Sequence, residues 1–461
     1  MSNKLTTALR RAAIRGYESG VKRRPTFRYW RELEESQWWS ADRLEAERVK
    51  RLHGLLSHAM RHSPWYRGEW QRLGLDPQSV ASVADLRNWP VIDRDTIRAH
   101  RTEMRSTAPG TRFISKSTGG SSGVPLHFDL DFDSNERRMA AWHRGYGWAG
   151  AAPGTRQWYL WGVPPDATAD WKKRKVRLYD ALYARTTESC FDLAESEVPR
   201  FVASLARCRP DAIVAYTGAL YSFARMLESR GIKPWQPKSI VVGAEKLHDF
   251  QRELIERVFG APVFETYGSR EVMLIGAECP EHSGLHITAE HLVVELLDDN
   301  DEPVADGEEG DVVITDLTNT GMPFIRYRNG DRAVAASGAC ACGRGLPRLA
   351  RVTGRRLDVL TTPDGRQLPG EFFPHILKEF ASVQRFQVEQ ADPAHVTVRL
   401  VAPEWSDADL ARLEREVAAV AGGALAVKVE QVDDIPLTAA GKLKVVVNKL
   451  AGRRENPAGA A

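Results

Sequence analysis

Cysteine is scarce: five residues in a chain of 461 are too few for a disulfide scaffold. No apolar run approaches the roughly 20 residues needed to cross a bilayer, so no membrane span is expected. An excess of one charge is also missing. The 64 Lys and Arg nearly balance 61 Asp and Glu, giving +3, so net charge does not argue for nucleic acid. Residues Met1 to Arg24 are basic but hold no apolar stretch before a cleavage site, which excludes a secretory signal. They read as a solvated basic arm, with a membrane-surface helix as the other reading. The composition, 43% hydrophobic and 27% charged, is that of a globular protein, and a cytoplasmic enzyme or large binding protein is expected.

Glycine is concentrated in one place. Ser117-Thr118-Gly119-Gly120-Ser121-Ser122-Gly123-Val124-Pro125 holds three glycines and four hydroxyl side chains. Glycine lets the backbone approach a ligand closely, and successive N–H groups with added hydroxyls can face one anion such as a triphosphate. No Gly-Lys-Ser/Thr follows, so this is not a Walker A loop. A flexible linker is the competing reading.

Around that loop the chain alternates. A helical pattern runs from Phe27 to about Trp70, with Leu44, Val49, Leu52, Leu55, Leu56 and Ala59 at helix spacing and a break at Ser63-Pro64. No chemistry is assigned before Arg112. Asp133 or Ser134 is expected to cap a helix reaching Trp148. The segments 157–162, 212–216, 239–242 and 262–265 read as buried strands, separated by helical patches at 201–205, 219–229 and 250–259. This order predicts an α/β domain with a mainly parallel sheet, whose ligands sit beyond the carboxyl ends of the strands. Two such ends carry Gly243-Ala244-Glu245 and Tyr267-Gly268-Ser269-Arg270-Glu271. A tyrosine face can stack on a base and Glu271 can hold Mg²⁺; ordinary turns with solvated carboxylates are the alternative. Asn329-Gly330 reads as a turn delivering Asp331, which can meet a ribose diol or simply close a surface turn. After Asp358 the chain becomes a mixture of strands and helices, a small α+β domain ending in Pro436-Leu437-Thr438-Ala439-Ala440-Gly441-Lys442. Lys442 can swing on this small-residue loop into a site, or remain a solvated lysine.

These motifs, in this order, resemble the AMP-forming adenylate-forming superfamily, and within it the phenylacetate–CoA ligase branch with its capsule-biosynthesis relatives. The resemblance covers nearly the whole chain. It implies a large N-terminal domain, 1–357, and a small mobile C-terminal domain, 358–461. It implies that Ser117 to Gly123 hold the ATP phosphates, that Gly243, Ala244 and Glu245 border adenine, and that Tyr267, next to Gly268, stacks on it. Glu271 would bind Mg²⁺, and Asp331 with Arg355 would hold the ribose. Asp358 would be the hinge, and Lys442 would contact the carboxylate and α-phosphate. Arg270 departs from the Ser or Thr common there, which weakens phenylacetate itself as substrate. Trp142, His143, Tyr146, Tyr216, Gly218 and Tyr221 are candidates for the acid pocket, suiting an aryl acid if they are not core. The implied reaction consumes ATP and a carboxylic acid and passes the acyl group to CoA. Transfer to an amine and a catalytically silent nucleotide-binding relative are the other readings. A homodimer is a family expectation.

The cysteines add one further expectation. Cys279 with His282 and His286, and Cys340-Ala341-Cys342, match a four-coordinate structural Zn²⁺ site. Cys279, His286, Cys340 and Cys342 are the favoured set, with His282 as the alternative fourth ligand and unliganded thiols as the competing reading. Cys190 and Cys208 read as packing residues.

Overall fold

A computed structural model describes residues 2–118, 126–162, 176, 178–355, 359–363, 367–369, 372–377, 379–380, 382–421, 423, 425–436 and 443–450. Gly119, Gly120, Ser121, Ser122, Gly123, Asp358, Lys442 and the side chain of Arg355 lie outside the described residues. The chain divides into two compact units, 1–353 and 354–461.

The first unit is built on an eleven-stranded sheet. One half is parallel, in the spatial order Arg185–Ser189, Gln157–Trp161, Ala212–Tyr216, Ser239–Gly243 and Val263–Ser269. Ala212–Tyr216 and Ser239–Gly243 are buried at every position, as strands covered on both faces must be. Helices Thr217–Ser229 and Asp249–Phe259 follow two of these strands, giving the expected α/β alternation. The sheet continues through Met273–Glu278, Leu285–Ile287, Arg348–Arg355, Tyr327–Ala335, Glu309–Asp316 and Leu292–Leu297, in which the paired strands run antiparallel.

Several expectations change at particular residues. The helix Phe132–Trp148 is capped by Asp131, whose carboxylate accepts Ser134 N at 2.7 Å and Thr320 N at 2.8 Å. Asp133 instead takes the Tyr29 hydroxyl and Arg137. Asn329-Gly330 is not a turn. It lies inside the strand Tyr327–Ala335, which carries two more residues than its partner between the pairs Arg328–Val313 and Arg332–Asp311. Gly330, at φ +87°, absorbs that bulge. The basic N-terminus is not a solvated arm: Ser2–Arg15 is a helix continued by a π-helical turn, Gly16–Val21. Its Leu, Ala and Arg residues are good helix formers, and Ile14 is fully buried with Phe27, Trp30 and Tyr183. Arg185–Ser189 and the helix Arg94–Met104 were not anticipated in the sequence.

The second unit is α+β. Its four strands lie in the order Ala426–Gln431, His395–Val401, Arg385–Asp392 and Val446–Asn448. Val396, Val398 and Leu400 alternate inward onto a core shared with Phe373, Leu377, Leu413 and Val417 of two helices, Phe372–Leu377 and Asp407–Ala421. Among the described residues no helix is long and apolar enough to cross a membrane.

Candidate active site

The strands Phe113–Ser117 and His127–Asp131 pair antiparallel, so the Ser/Gly segment connects a hairpin. Its base is clamped at Thr118, whose N–H donates to Leu126 O and whose hydroxyl accepts Leu126 N, both at 2.9 Å. Beside the clamp, Arg270 Nη1 donates to Ser117 O at 2.9 Å. The structure therefore brings the base of the Ser/Gly loop to the Tyr267–Glu271 segment.

Two carboxylates converge there. Glu271 is buried, and its Oε1 accepts the Tyr327 hydroxyl at 3.1 Å and Arg94 Nη2 at 3.4 Å. Among the described residues its Oε2 takes no hydrogen bond. Burial first, then the charges of Glu271 and Arg94, sets Tyr327, whose hydroxyl is held well above the ordinary tyrosine range. Asp331 Oδ2 accepts the Tyr267 hydroxyl and Asn329 Nδ2, each at 2.9 Å. Tyr327, Asn329 and Asp331 share one face of their strand because side chains alternate. Four strand spacings separate that strand from Val263–Ser269 in the sheet order, about 19 Å if the sheet were flat. A 2.9 Å contact between Tyr267 and Asp331 therefore requires the sheet to curl between them. Arg94, at the start of its helix, carries no periodic or motif signal, which is why the sequence shows no chemistry before Arg112.

The other strand end is tight. Gly243 closes Ser239–Gly243, and Ala244 follows at φ +70°, a left-handed conformation that costs a non-glycine residue about 1 kcal/mol. Glu245 Oε2 accepts Gly218 N at 2.6 Å, placing a carboxylate at the amino end of the helix Thr217–Ser229. Gly268 is confined by the hairpin it starts: a Cβ there would lie 2.0 Å from Met273 O.

The sequence model of the CapK C-terminal domain matches residues 360–449. A phenylacetate–coenzyme A ligase of Thermus thermophilus is 26% identical over 328 residues, 69% of this chain and 72% of that protein. One of Aromatoleum evansii is 24% identical over 439 residues, covering 91% of this chain and 97% of that protein. The crystal structure of 2-hydroxyisobutyryl-CoA ligase in the postadenylation state superposes with a TM-score of 0.73 at 20% identity, over 92% of this chain and 93% of that one. The fold is that of an adenylate-forming ligase.

Within this ligase fold the aromatic candidates fall into separate groups. Tyr216 packs on Trp161, with ring centroids 4.2 Å apart, at the carboxyl end of its strand; Gly218 adjoins it, and Tyr221 meets Phe250 at 5.4 Å. Trp142 and Tyr146 touch at 4.9 Å, in the cluster that holds Tyr159, Val214 and Val241. His143 touches Trp142 at 5.1 Å but is buried on the other side of it. It sits against Trp30 at 5.6 Å and Phe27 at 6.2 Å, and burial, then the Arg185 charge, pushes its pKa down to about 3.

A second cluster gathers Cys279, His286, Cys340 and Cys342, whose donor atoms all lie within 4.8 Å of one another. Cys279 Sγ is 3.7 Å from Cys340 Sγ, and Cys342 Sγ is 3.3 Å from His286 Nε2. Tetrahedral zinc needs about 3.8 Å between two sulfurs and about 3.6 Å between sulfur and nitrogen, so the set fits that ion. His286 Nδ1 faces Leu346 O at 3.3 Å, a contact that directs the Nε2 lone pair to the thiols. Burial brings the His286 pKa down to about 4, leaving the ring neutral. His282 stands apart, against Glu278 at 3.2 Å and the Phe264 ring, so it is not the fourth member.

Proposed function

We propose that this protein activates a carboxylic acid with ATP, forming an acyl-adenylate and pyrophosphate, and then transfers the acyl group to CoA. The observation that carries the reading is that Tyr267 bonds Asp331 and Glu271 bonds Tyr327 of the same strand, where the parallel strand Val263–Ser269 ends and Arg270 reaches the base of the Ser/Gly loop. Similarity to phenylacetate–CoA ligases along most of the chain supports it.

In this reading a carboxylate oxygen attacks the α-phosphorus as the bond to pyrophosphate breaks. A thiolate sulfur then attacks the acyl carbon as AMP leaves. The substrate carboxylate is already ionised at neutral pH, so no general base is required for the first step. What must be overcome is the repulsion of two anions. Lys442 would meet the carboxylate and α-phosphate. Glu271, with one oxygen held and the other open, would hold Mg²⁺, which supplies positive charge to the phosphates. Asp331, with Arg355, would hold the ribose, and Tyr267 would lie against adenine. Gly243 to Glu245 would border the base. Tyr216, Gly218 and Tyr221 would line the acid pocket, and Asp358 would be the hinge of a mobile domain beginning there. Cys279, His286, Cys340 and Cys342 would hold a structural Zn²⁺.

The test is pyrophosphate release with ATP and Mg²⁺ over a panel of aryl, aliphatic, hydroxy and amino acids, with and without CoA. Turnover that depends on CoA for one acid class is expected. Lys442→Ala should abolish release while ATP binding survives. Full pyrophosphate release by that variant would sink the assignment; release without CoA that an added amine accelerates would replace the thiol acceptor with an amine.

A further inference from the structure

A cavity of about 520 Å³ opens at the amino-terminal edge of the parallel sheet, within the size range of small-ligand sites. Asp211, Ser239 and Pro262 line it, each at or just before the start of the strands Ala212–Tyr216, Ser239–Gly243 and Val263–Ser269. The opposite ends of the same strands carry Tyr216, Gly243 and Tyr267. Five residues separate Asp211 from Tyr216, about 16 Å of extended chain, so the cavity is distinct from the strand ends already described.

The N-terminal helix Ser2–Arg15 bounds the cavity through Thr7, Ala8 and Arg11. That helix is closely seated. A Cβ at Gly154, where φ is +95°, would lie 2.8 Å from Thr7 O and 3.0 Å from Arg11 N, so glycine is what admits the approach. Arg11 Nε donates to Pro153 O at 3.1 Å, and Ile14, one turn further on, is fully buried. Thr7 and Ala8 are small, and here space remains, with the Trp148 and Phe264 side chains in its wall. The void thus borders a fixed contact rather than a loose helix.

The lining selects a charge. Its hydroxyls are engaged: Ser239 donates to Ala149 O, and Thr155 donates to Ala152 O at 2.7 Å. Its one acid, Asp211, is met by Lys238 Nζ at 2.9 Å and Arg156 Nε at 3.5 Å. The cations keep donors in reserve. The Arg11 guanidinium lies 5.4 Å from the Trp30 ring, and among the described residues its Nη atoms take no hydrogen bond. Lys238 is exposed and contacts only Asp211 among them. Trp148, Ala149, Pro262 and Phe264 supply apolar surface. We propose that this cavity binds an amphipathic organic anion, with its apolar body against Trp148 and Phe264 and its acidic group on Arg11 and Lys238. The proposal stands apart from the catalytic reading.

Calorimetry on the full chain with 2-naphthalenesulfonate, a planar anion with no carboxylate to activate, tests it. Saturable binding is expected, weakened by salt and not displaced by ATP·Mg²⁺. Neutral 2-naphthol should bind about tenfold more weakly or worse, and Arg11→Gln with Lys238→Gln should weaken the sulfonate by a similar factor. Ala8→Trp, at an exposed helix position, should fill the cavity and abolish binding with an unchanged melting temperature. Absence of saturable binding would overturn the proposal, as would equal affinity for 2-naphthol or full binding by the Ala8→Trp protein. Displacement by ATP·Mg²⁺ would place the anion in the nucleotide site and overturn it as well.

Discussion

The Cys279–His286–Cys340–Cys342 cluster and the Glu271–Asp331 cluster both draw on distant parts of the chain, and both lie in the antiparallel half of the sheet or at its border. They differ in what their polar atoms face. Each carboxylate of the second cluster accepts hydrogen bonds from the protein, Glu271 from Tyr327 and Arg94 and Asp331 from Tyr267 and Asn329. In the first cluster the donors mostly face one another, thiol against thiol and thiol against imidazole nitrogen, with one hydroxyl, Ser283 Oγ, 3.2 Å from Cys340 Sγ. Thiols are weak hydrogen-bonding groups, so such contacts recover little of the cost of burial. A cation that ligates all four atoms at once satisfies them. The acid cluster is thus held in place by the protein's own hydrogen bonds, with Glu271 Oε2 left open, whereas in the proposed reading the Cys/His cluster is completed only by a metal that stays.

The largest effect expected from this contrast is on stability. If the Cys/His cluster holds zinc as proposed, stripping it with a chelator, or Cys340→Ser, should cost about 4–5 kcal/mol, because the metal would join the Cys279–His286 hairpin to the connection between Tyr327–Ala335 and Arg348–Arg355. Removing Mg²⁺ should leave the melting temperature unchanged. Denaturant unfolding with metal analysis decides it: identical curves with and without chelator, in protein that carries no zinc, would erase the distinction between the two clusters.

How much of this could be read in advance follows the same division. The strand-end motifs were legible because each follows an apolar run of strand length, and the gathering of Cys279, His286, Cys340 and Cys342 because their spacing limits the choices. His282 was excluded only by geometry, since its ring turns to Glu278 and Phe264. The contact of Tyr267 with Asp331 depends on sheet curvature, which no local pattern encodes. Arg94 depends on where a helix start lands. The N-terminal helix was hidden by its charge: its packed residues, Thr7, Arg11 and Ile14, make too polar a stripe to read as a buried face. Asn329-Gly330 has the composition of a turn, yet strand pairing on both sides of it overrode that preference. Gly119 to Gly123 and Lys442 lie outside the described residues, so their roles rest on the proposal above.

Glu265 lies between the two clusters and sharpens the comparison. It sits two residues before Tyr267, and its N–H donates to Glu278 Oε2 at 2.7 Å, next to Cys279. Burial, then the neighbouring Glu278 charge, pushes its carboxyl pKa up from 4.5 to about 7. The folded state therefore keeps a proton that the unfolded state releases first. Stability from this group is full below pH 4.5 and falls as pH rises to about 7, by up to about 3 kcal/mol. Glu265→Gln should flatten that fall in unfolding curves taken across the interval; an unchanged pH slope would mean that Glu265 is ionised in the fold.

The smallest effect belongs to the acid cluster itself. Tyr327 is fully buried, its ring stacked on Phe324 at 5.2 Å, so Tyr327→Phe removes only the hydroxyl and leaves the packing in place. That hydroxyl donates to Glu271 Oε1 and accepts Arg94 Nε at 3.3 Å. Arg94 remains to hold the carboxylate, so the cost should be about 0.5–1.5 kcal/mol in stability, with KM for ATP·Mg²⁺ raised a few-fold and kcat little changed. A split of this kind is expected if Tyr327 only orients Glu271 before the nucleotide arrives. Loss of kcat by a factor of about 100 or more in folded protein would instead make the hydroxyl a direct participant, because removing a donor used only in the transition state lowers kcat rather than binding. The acid cluster would then be incomplete without its ligand, as the Cys/His cluster is, and the contrast between the two would fail at this residue.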